Sequence, residues 1–310
     1  MKTNISLILI LCLLLGACKN GNASSQNKSE TPQDTIKAIK MPAIPQMMTA
    51  PEQRADFLAK HYWDNVNFAD TNYIHHPEVT EQAWADYCDL LNHVPLETAQ
   101  QAMRNVIDRT NVDKKVFTYI TDLADKYLYD PNSPMRNEEF YIPVLEAMIA
   151  SPVLNETEKI RPQARLKLAQ KNRIGTKALN FTYTLASGAQ GSLYQLKAEY
   201  LLLFINNPGC QACTETIEGL KNAPIINQLL QEKKLVLLSI YPDEELDEWK
   251  KHLSEFPNEW INGYDKKFTI KEEQVYDLKA IPTLYLLDKD KTVLLKDATA
   301  PAIEAYLMQH

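Results

Sequence analysis

Glycine is confined to two stretches of this chain of 310 residues. Six of its eight glycines lie between Gly175 and Gly263, and none lies between Gly21 and Gly175. Glycine allows the tight turns of strand-rich structure and weakens helices, so a long stretch without glycine favours helices. The chain is therefore predicted to contain a helical part followed by a part of different architecture.

The glycine-free stretch carries apolar residues at the three- to four-residue spacing of amphipathic helices. Two such runs are Phe57, Leu58, His61, Tyr62 and Val66, and Val116, Phe117, Ile120, Leu123, Ala124 and Tyr127. Thr49 and Glu52 form a capping-box pattern that predicts the start of the first helix. The prolines at positions 77, 95, 131, 134, 143 and 152 are predicted to separate helices. We predict a small all-α domain at residues 49–173, of unknown function and without catalytic residues.

From residue 174 onward, short runs typical of strands alternate with helical patterns. The predicted elements are a hairpin at 181–196, a helix from Cys210 to Leu230, a helix at 244–256, a helix at 301–307, and strands at 199–206, 235–241, 283–287 and 293–296. The run Tyr200–Ile205 is apolar throughout, which indicates a central strand covered on both faces. The order βαβ followed by ββα predicts an α/β domain at residues 174–310.

Two cysteines separated by two residues, Cys210 and Cys213, lie where the predicted central strand meets its helix. A sulfur at a helix start lies beside free backbone N–H groups and the positive end of the helix dipole, which favours the thiolate form. The second sulfur lies one helical turn inward, within reach of a disulfide. The pattern predicts a redox pair in which Cys210 is the nucleophile and Cys213 resolves the mixed disulfide.

This segment resembles the thioredoxin fold, and the leading hairpin makes it similar to the TlpA/ResA branch of envelope thiol-disulfide proteins. Ala280-Ile281-Pro282-Thr283 resembles the loop whose proline is cis in thioredoxins and faces the two sulfurs. The resemblance implies an α/β thioredoxin-like fold and a client-binding surface at Gly209, Ile281 and Pro282. It also implies no cofactor beyond a redox-active Cys210–Cys213 disulfide. The expected activity is thiol-disulfide exchange with envelope client proteins, as a reductant supplied by an upstream thiol reductant.

The segment departs from thioredoxins at three positions. Thioredoxins usually carry Trp before the first cysteine and Pro before the second, whereas this chain has Gly209 and Ala212. Phe204 stands where thioredoxins have a buried acid that assists proton transfer from the second cysteine. The proton acceptor is therefore unassigned, and Asp243 and Glu215 are the candidates.

The first 17 residues match a bacterial export signal, with Lys2 before an apolar run. Leu15-Gly16-Ala17-Cys18 resembles the lipobox of bacterial lipoproteins, which implies cleavage before Cys18 and acylation of that residue. Acyl chains would anchor the protein to a lipid bilayer in the cell envelope, facing the periplasm. Residues 18–48 are predicted to form a flexible linker. The whole arrangement resembles Gram-negative lipoproteins whose helical domain has no known function.

Composition argues against a nucleic-acid partner, because 33 basic residues face 40 acidic ones and no arginine follows Arg173. One alternative to the enzyme is a binding or scaffold lipoprotein with a structural disulfide, which an oxidising envelope permits. A disulfide that closes so short a loop removes little chain entropy, which weakens that alternative. A zinc site is the other alternative, but Cys210 and Cys213 supply only two ligands and no second pair follows them. We therefore predict no metal.

Overall fold

The computed structural model describes residues 38–310. The predicted signal peptide at 1–17, the predicted acylation site Cys18 and the first part of the predicted linker lie outside the described residues. Residues 38–48 contact the helices that follow. Ile39 packs against their core, and the Asn65 amide donates a hydrogen bond to the carbonyl of Lys40 at 2.9 Å. Among the described residues, no helix combines the length and the apolar character needed to cross a membrane.

The helical part contains six α-helices around an aromatic-rich core. They are α1 Pro51–His61, α2 Pro77–Leu91, α3 Leu96–Arg109, α4 Lys114–Ala124, α5 Glu138–Ala150 and α6 Glu156–Ala169. Helix α5 packs against both α3 and α6. Trp84, Tyr87, Phe117 and Tyr141 are fully buried. This arrangement confirms the predicted helical region.

Two details of the helical part differ from the prediction. Ala50, not Thr49, precedes the first helix, and no side chain caps the helix because alanine carries no acceptor. Pro51 occupies the first helical position, where its missing N–H costs no hydrogen bond. Pro143 lies inside α5 rather than between helices. A proline in a helix leaves the carbonyl four residues earlier without its partner. That carbonyl belongs to Glu139 and accepts a hydrogen bond from Gln100 Nε2 at 3.1 Å instead.

The sheet part contains one seven-stranded mixed sheet and five helices. The strands are β1 Thr182–Leu185, β2 Gln190–Ser192, β3 Tyr200–Ile205, β4 Leu235–Tyr241, β5 Ile261–Tyr264, β6 Thr283–Asp288 and β7 Val293–Lys296. The helices are α7 Gln211–Lys221, α8 Pro224–Gln231, α9 Leu246–Lys251, α10 Thr269–Glu272 and α11 Ala300–Gln309. The strand order is β2-β1-β5-β4-β3-β6-β7, in which β4 runs parallel to β3 and β5 and the other pairs are antiparallel.

Strand β3 is buried on both faces, which confirms the prediction from its apolar run. Leu202 and Phe204 pack on the side of α7, α8 and α11, whereas Leu201, Leu203 and Ile205 pack on the opposite side. Parallel pairing of β3 with β4 brings the carboxyl ends of both strands to one edge of the sheet. The loop that leads from β3 to Cys210 and α7 leaves from that edge.

The prediction of the sheet part was incomplete at strand β5, at the short helix α10 and at the helix after Cys210. Strand β5 was not predicted, because Ile261-Asn262-Gly263-Tyr264 has neither a long apolar run nor a regular alternation. The helix predicted from Cys210 to Leu230 is two helices, since Pro224 occupies the first position of α8.

The helical and sheet parts belong to one compact unit, and ion pairs with little solvent exposure join them. Glu138, in the first turn of α5, forms ion pairs with Lys296 and with Lys279, whose Nζ is 3.1 Å from the carboxylate. Lys279 also pairs with Asp277 at 3.0 Å and Asp297 at 3.3 Å. Burial lowers the pKa of Lys279, but the three carboxylates raise it more, so the net shift is upward and the side chain stays charged.

Candidate functional site

Cys210 lies at the junction of the central strand and the first helix of the sheet part, as its position in the sequence predicts. It is the residue immediately before α7, and its Sγ accepts a hydrogen bond from the backbone N–H of Cys213 at 3.3 Å. Its side chain is partly exposed. Gly209, just before it, has a φ of +71°, a conformation that side-chain-bearing residues rarely adopt. The glycine therefore permits the turn that presents the Cys210 sulfur to solvent.

Cys213 lies one turn further along α7 and is only 2% exposed. Burial raises the pKa of its thiol to about 12, and the hydrogen bond and charge of Cys210 add to this rise. The backbone N–H of Asn207 acts in the opposite direction. Both cysteines are free thiols in this structure. Cys213 is therefore held as a neutral thiol behind the exposed sulfur of Cys210.

The loop before β6 reaches the cysteines from a distant part of the sequence. The Ile281–Pro282 peptide bond is cis. The Cys210 thiol donates to the carbonyl oxygen of Ile281, with 3.8 Å between sulfur and oxygen. The backbone N–H of Ile281 has no hydrogen-bond partner within the described residues. The structure thus brings together Gly209, Cys210 and the Ile281–Pro282 loop.

The candidate proton acceptors differ in how they connect to Cys213. Glu215 is exposed and accepts from the Gln211 amide at 2.9 Å. Asp243 accepts from Asn207 Nδ2 at 3.0 Å and pairs with Lys271 at 2.8 Å. Asn207 thus connects the surroundings of Cys213 to Asp243, whereas Glu215 has no such connection.

Phe204 offers no replacement for the acid that thioredoxins carry at its position. It is fully buried, and its ring meets that of Trp260 edge to face at 6.4 Å. Sequence reasoning did not single out Asn207. Its position directly after the central strand was the available signal, because residues there lie at the edge that carries the site.

A groove of about 530 Å³ lies beside the cysteine helix, and both parts of the chain line it. The sheet part contributes Ala212, which lies between the two cysteines, together with Ile281 and Pro282. The helical part contributes Asn132 and Arg136, among others. No residue of the helical part was predicted to lie near the cysteines, because nothing in its sequence indicates which of its loops faces the sheet.

The remaining candidates lie away from this arrangement. Within residues 38–310, no three His, Cys, Asp or Glu side chains are grouped as a metal site would require. Cys88 is buried in the core of the helical part, where burial raises the pKa of its thiol. Cys18 lies outside the described residues.

Two family models match the chain, one in each part. The helical part matches a domain of unknown function (DUF5106) over residues 17–172, and the sheet part matches a family described as thioredoxin-like over residues 198–293. The first match covers half of the chain. No curated protein matches the chain.

Solved structures match this chain over most of its length or over less than half of it. A thioredoxin-like protein from Bacteroides caccae is 84% identical, and the match covers 89% of this chain and 100% of that chain, with a TM-score of 0.87. The C-terminal domain of an uncharacterized protein from Bacteroides fragilis is 69% identical, and the match covers 44% of this chain and 98% of that one, with a TM-score of 0.44.

Proposed function

The chain belongs to the thioredoxin-like proteins and carries a DUF5106 domain in its helical part, and we propose that it is a thiol-disulfide oxidoreductase of the cell envelope. The observation that carries this proposal is the pairing of a partly exposed Cys210 with a buried Cys213 at the start of α7. The Ile281 carbonyl lies 3.8 Å from the exposed sulfur. An exposed nucleophile with a protected thiol one turn behind it suits two-step disulfide exchange.

In the reducing direction, the Cys210 thiolate attacks one sulfur of a client disulfide. The client S–S bond breaks, a mixed disulfide forms, and the departing client thiolate takes a proton from water. Cys213 then loses its proton to water and attacks the Sγ of Cys210, which releases the second client thiolate. Two electrons have moved from the cysteine pair to the client, and the pair is left as a disulfide. An upstream thiol reductant returns the two electrons.

The pKa of Cys213 suits this order of events. While Cys210 is free, its hydrogen bond and charge help to raise the pKa of Cys213 to about 12, so that the second thiol stays protonated. Once Cys210 is bonded to a client, it carries no charge and that contribution ends. Deprotonation of Cys213 then becomes easier at the step that needs its thiolate.

The cellular setting is part of the proposal. Acylation at Cys18 would anchor the chain to a bilayer through its N-terminus, and the linker would hold the folded part away from that surface. Radiolabelled palmitate is expected to enter the wild type and not Cys18→Ala. Equal labelling of both proteins would contradict acylation at Cys18.

The decisive experiment is a redox titration of the full chain, purified in detergent, in glutathione or dithiothreitol buffers. We expect a reduction potential between about −270 and −120 mV, the range of exchange-active pairs of this fold. Cys213→Ser should trap envelope proteins as mixed disulfides, and Cys210→Ser should trap none. A potential below about −300 mV, with neither variant trapping a client, would instead indicate a structural disulfide in a binding or scaffold lipoprotein.

A further inference from the structure

The groove beside the cysteine helix has one wall from each part of the chain. Ala212 and the Ile281–Pro282 loop form the wall on the sheet part. Pro131 and Asn132, both exposed, and the partly exposed Arg136 contribute the wall on the helical part. These three residues lie in the segment before α5. Neither cysteine lines the groove, but the carbonyl oxygen of Ile281, a lining residue, is 3.8 Å from the Cys210 sulfur. A molecule in the groove would therefore touch the helical part while it lies close to the candidate nucleophile.

The helical wall is bonded to the elements that flank the groove. The Arg136 guanidinium donates to the backbone carbonyl of Asp297 at 2.6 Å. Two residues later in the chain, Glu138 pairs with Lys279 at 3.1 Å, and Lys279 precedes Pro282 by three residues. Side-chain exposure is only 13% for Glu138 and 10% for Lys279, so water screens this pair little. Arg136 and Glu138 thus connect the helical wall directly to the sheet part.

The size and the free backbone groups of the groove suit an extended polypeptide segment. Its volume of about 530 Å³ lies in the range of sites that hold ligands of a few hundred daltons, which corresponds to a few residues and not to a folded domain. The Ile281 N–H has no partner among residues 38–310 and is free to pair with an added chain. A segment that pairs there lies next to Cys210.

We propose that the helical part forms one wall of the client-binding site, and that its occupant is the extended client segment flanking the reacting cysteine. This inference rests on the proposed exchange at Cys210. The helical part then selects polypeptide clients, while small disulfides reach the Cys210 sulfur without entering the groove. This gives the DUF5106 domain of this chain a role in client recognition.

The test compares how fast the full chain, reduced beforehand and freed of the reductant, reduces one polypeptide and one small disulfide in a single turnover. The probes are insulin and 5,5′-dithiobis(2-nitrobenzoate), and no free dithiol is present because it would reduce the small disulfide directly. Asn132→Trp places a large ring in the groove, and Asn132→Phe a smaller one. The Asn132 side chain makes no hydrogen bond within the described part of the chain, so its replacement removes none. Asn105→Trp is the matched control, because Asn105 is an exposed asparagine of the helical part that does not line the groove, and its side chain also makes no hydrogen bond within the described residues.

We expect the ratio of the second-order rate constant for insulin to that for the small disulfide to fall about fivefold or more in Asn132→Trp, because the large ring weakens binding of the polypeptide. The fall should be smaller in Asn132→Phe and absent in Asn105→Trp. An unchanged ratio in both Asn132 variants, with both substrates still reduced, would overturn the inference and leave the proposed function standing. A wild type that reduces neither substrate would overturn both.

Discussion

Cys88 and Cys213 are equally buried, each 2% exposed, but the two regions differ in the groups that surround the buried thiol. Cys88 lies in the helical core, and burial alone raises its pKa. Cys213 lies behind Cys210, which adds to the rise, and beside the Asn207 N–H, which opposes it. Burial by itself gives an inert thiol. A buried thiol whose pKa falls during the reaction needs a neighbour whose charge changes during the reaction.

The strongest test of this contrast replaces one cysteine in each region with serine. Cys210→Ser removes the nucleophile and should lower the rate of disulfide exchange by roughly three orders of magnitude or more. Cys88→Ser should leave that rate unchanged, although a buried hydroxyl without a partner costs about 1–3 kcal/mol of unfolding free energy. Insulin reduction and urea unfolding measure the two effects. A loss of exchange in Cys88→Ser without unfolding would contradict the contrast.

Glu138→Gln tests the ion pairs of Glu138 with Lys279 and Lys296, which join the helical part to the sheet part. Loss of this carboxylate leaves Lys279 and Lys296 with fewer partners in a poorly solvated site, and we expect a loss of about 2 kcal/mol in unfolding free energy. The exposed Glu156→Gln is the control and should change little. Tryptophan fluorescence in urea reports on both regions, because Trp63 and Trp84 lie in one and Trp249 and Trp260 in the other. An effect no larger than that of Glu156→Gln would show that these ion pairs contribute little to the free energy of unfolding.

Cys210→Ala tests how far Cys210 raises the pKa of Cys213, because it removes both the charge and the sulfur of Cys210. The pKa of Cys213 should fall below its value of about 12, because two of the causes that raise it are gone. The pKa of Cys88 should not move. Carbon-13 chemical shifts of labelled cysteine β-carbons, followed against pH, report both thiols in one sample. A Cys213 pKa that does not fall would assign the whole rise to burial.

The smallest effect expected concerns the turn that presents Cys210. Gly209→Ala must hold alanine at a φ of +71°, and should cost about 1 kcal/mol. Gly219→Ala, inside α7, meets nothing nearer than 3.8 Å and should stabilise by about the same amount. Thermal unfolding of the two variants measures the opposite signs. Equal signs would show that the backbone at Gly209 relaxes readily.

Local patterns were enough to place the cysteine pair. The apolar run Tyr200–Ile205 and the helical pattern after Cys210 are each readable within a few residues, and they put the pair at the junction of strand and helix. The Ile281–Pro282 loop was assigned only through resemblance to a family. Its 3.8 Å approach to Cys210 depends on the antiparallel pairing of β3 with β6, which no short window of sequence contains.

Other features were missed because they depend on partners far away in the chain. Pro143 is normally read as a helix break, but Gln100 satisfies the carbonyl that the proline leaves free. Strand β5 has too few apolar residues to be recognised alone, and becomes a strand because it pairs with β1 and β4. In both cases a contact between distant segments outweighs the local preference.

The sequence alone determined that a helical part precedes an α/β part, that β3 is central, and that Cys210 precedes Cys213 at a helix start. These follow from side-chain periodicity and turn residues, which act over a few neighbours. Only the tertiary structure brought Glu138 to Lys279, Asn207 to Asp243, and the segment before α5 to the cysteine helix. Such contacts arise when separate elements bury their surfaces together, and the free energy that selects them belongs to the packed whole.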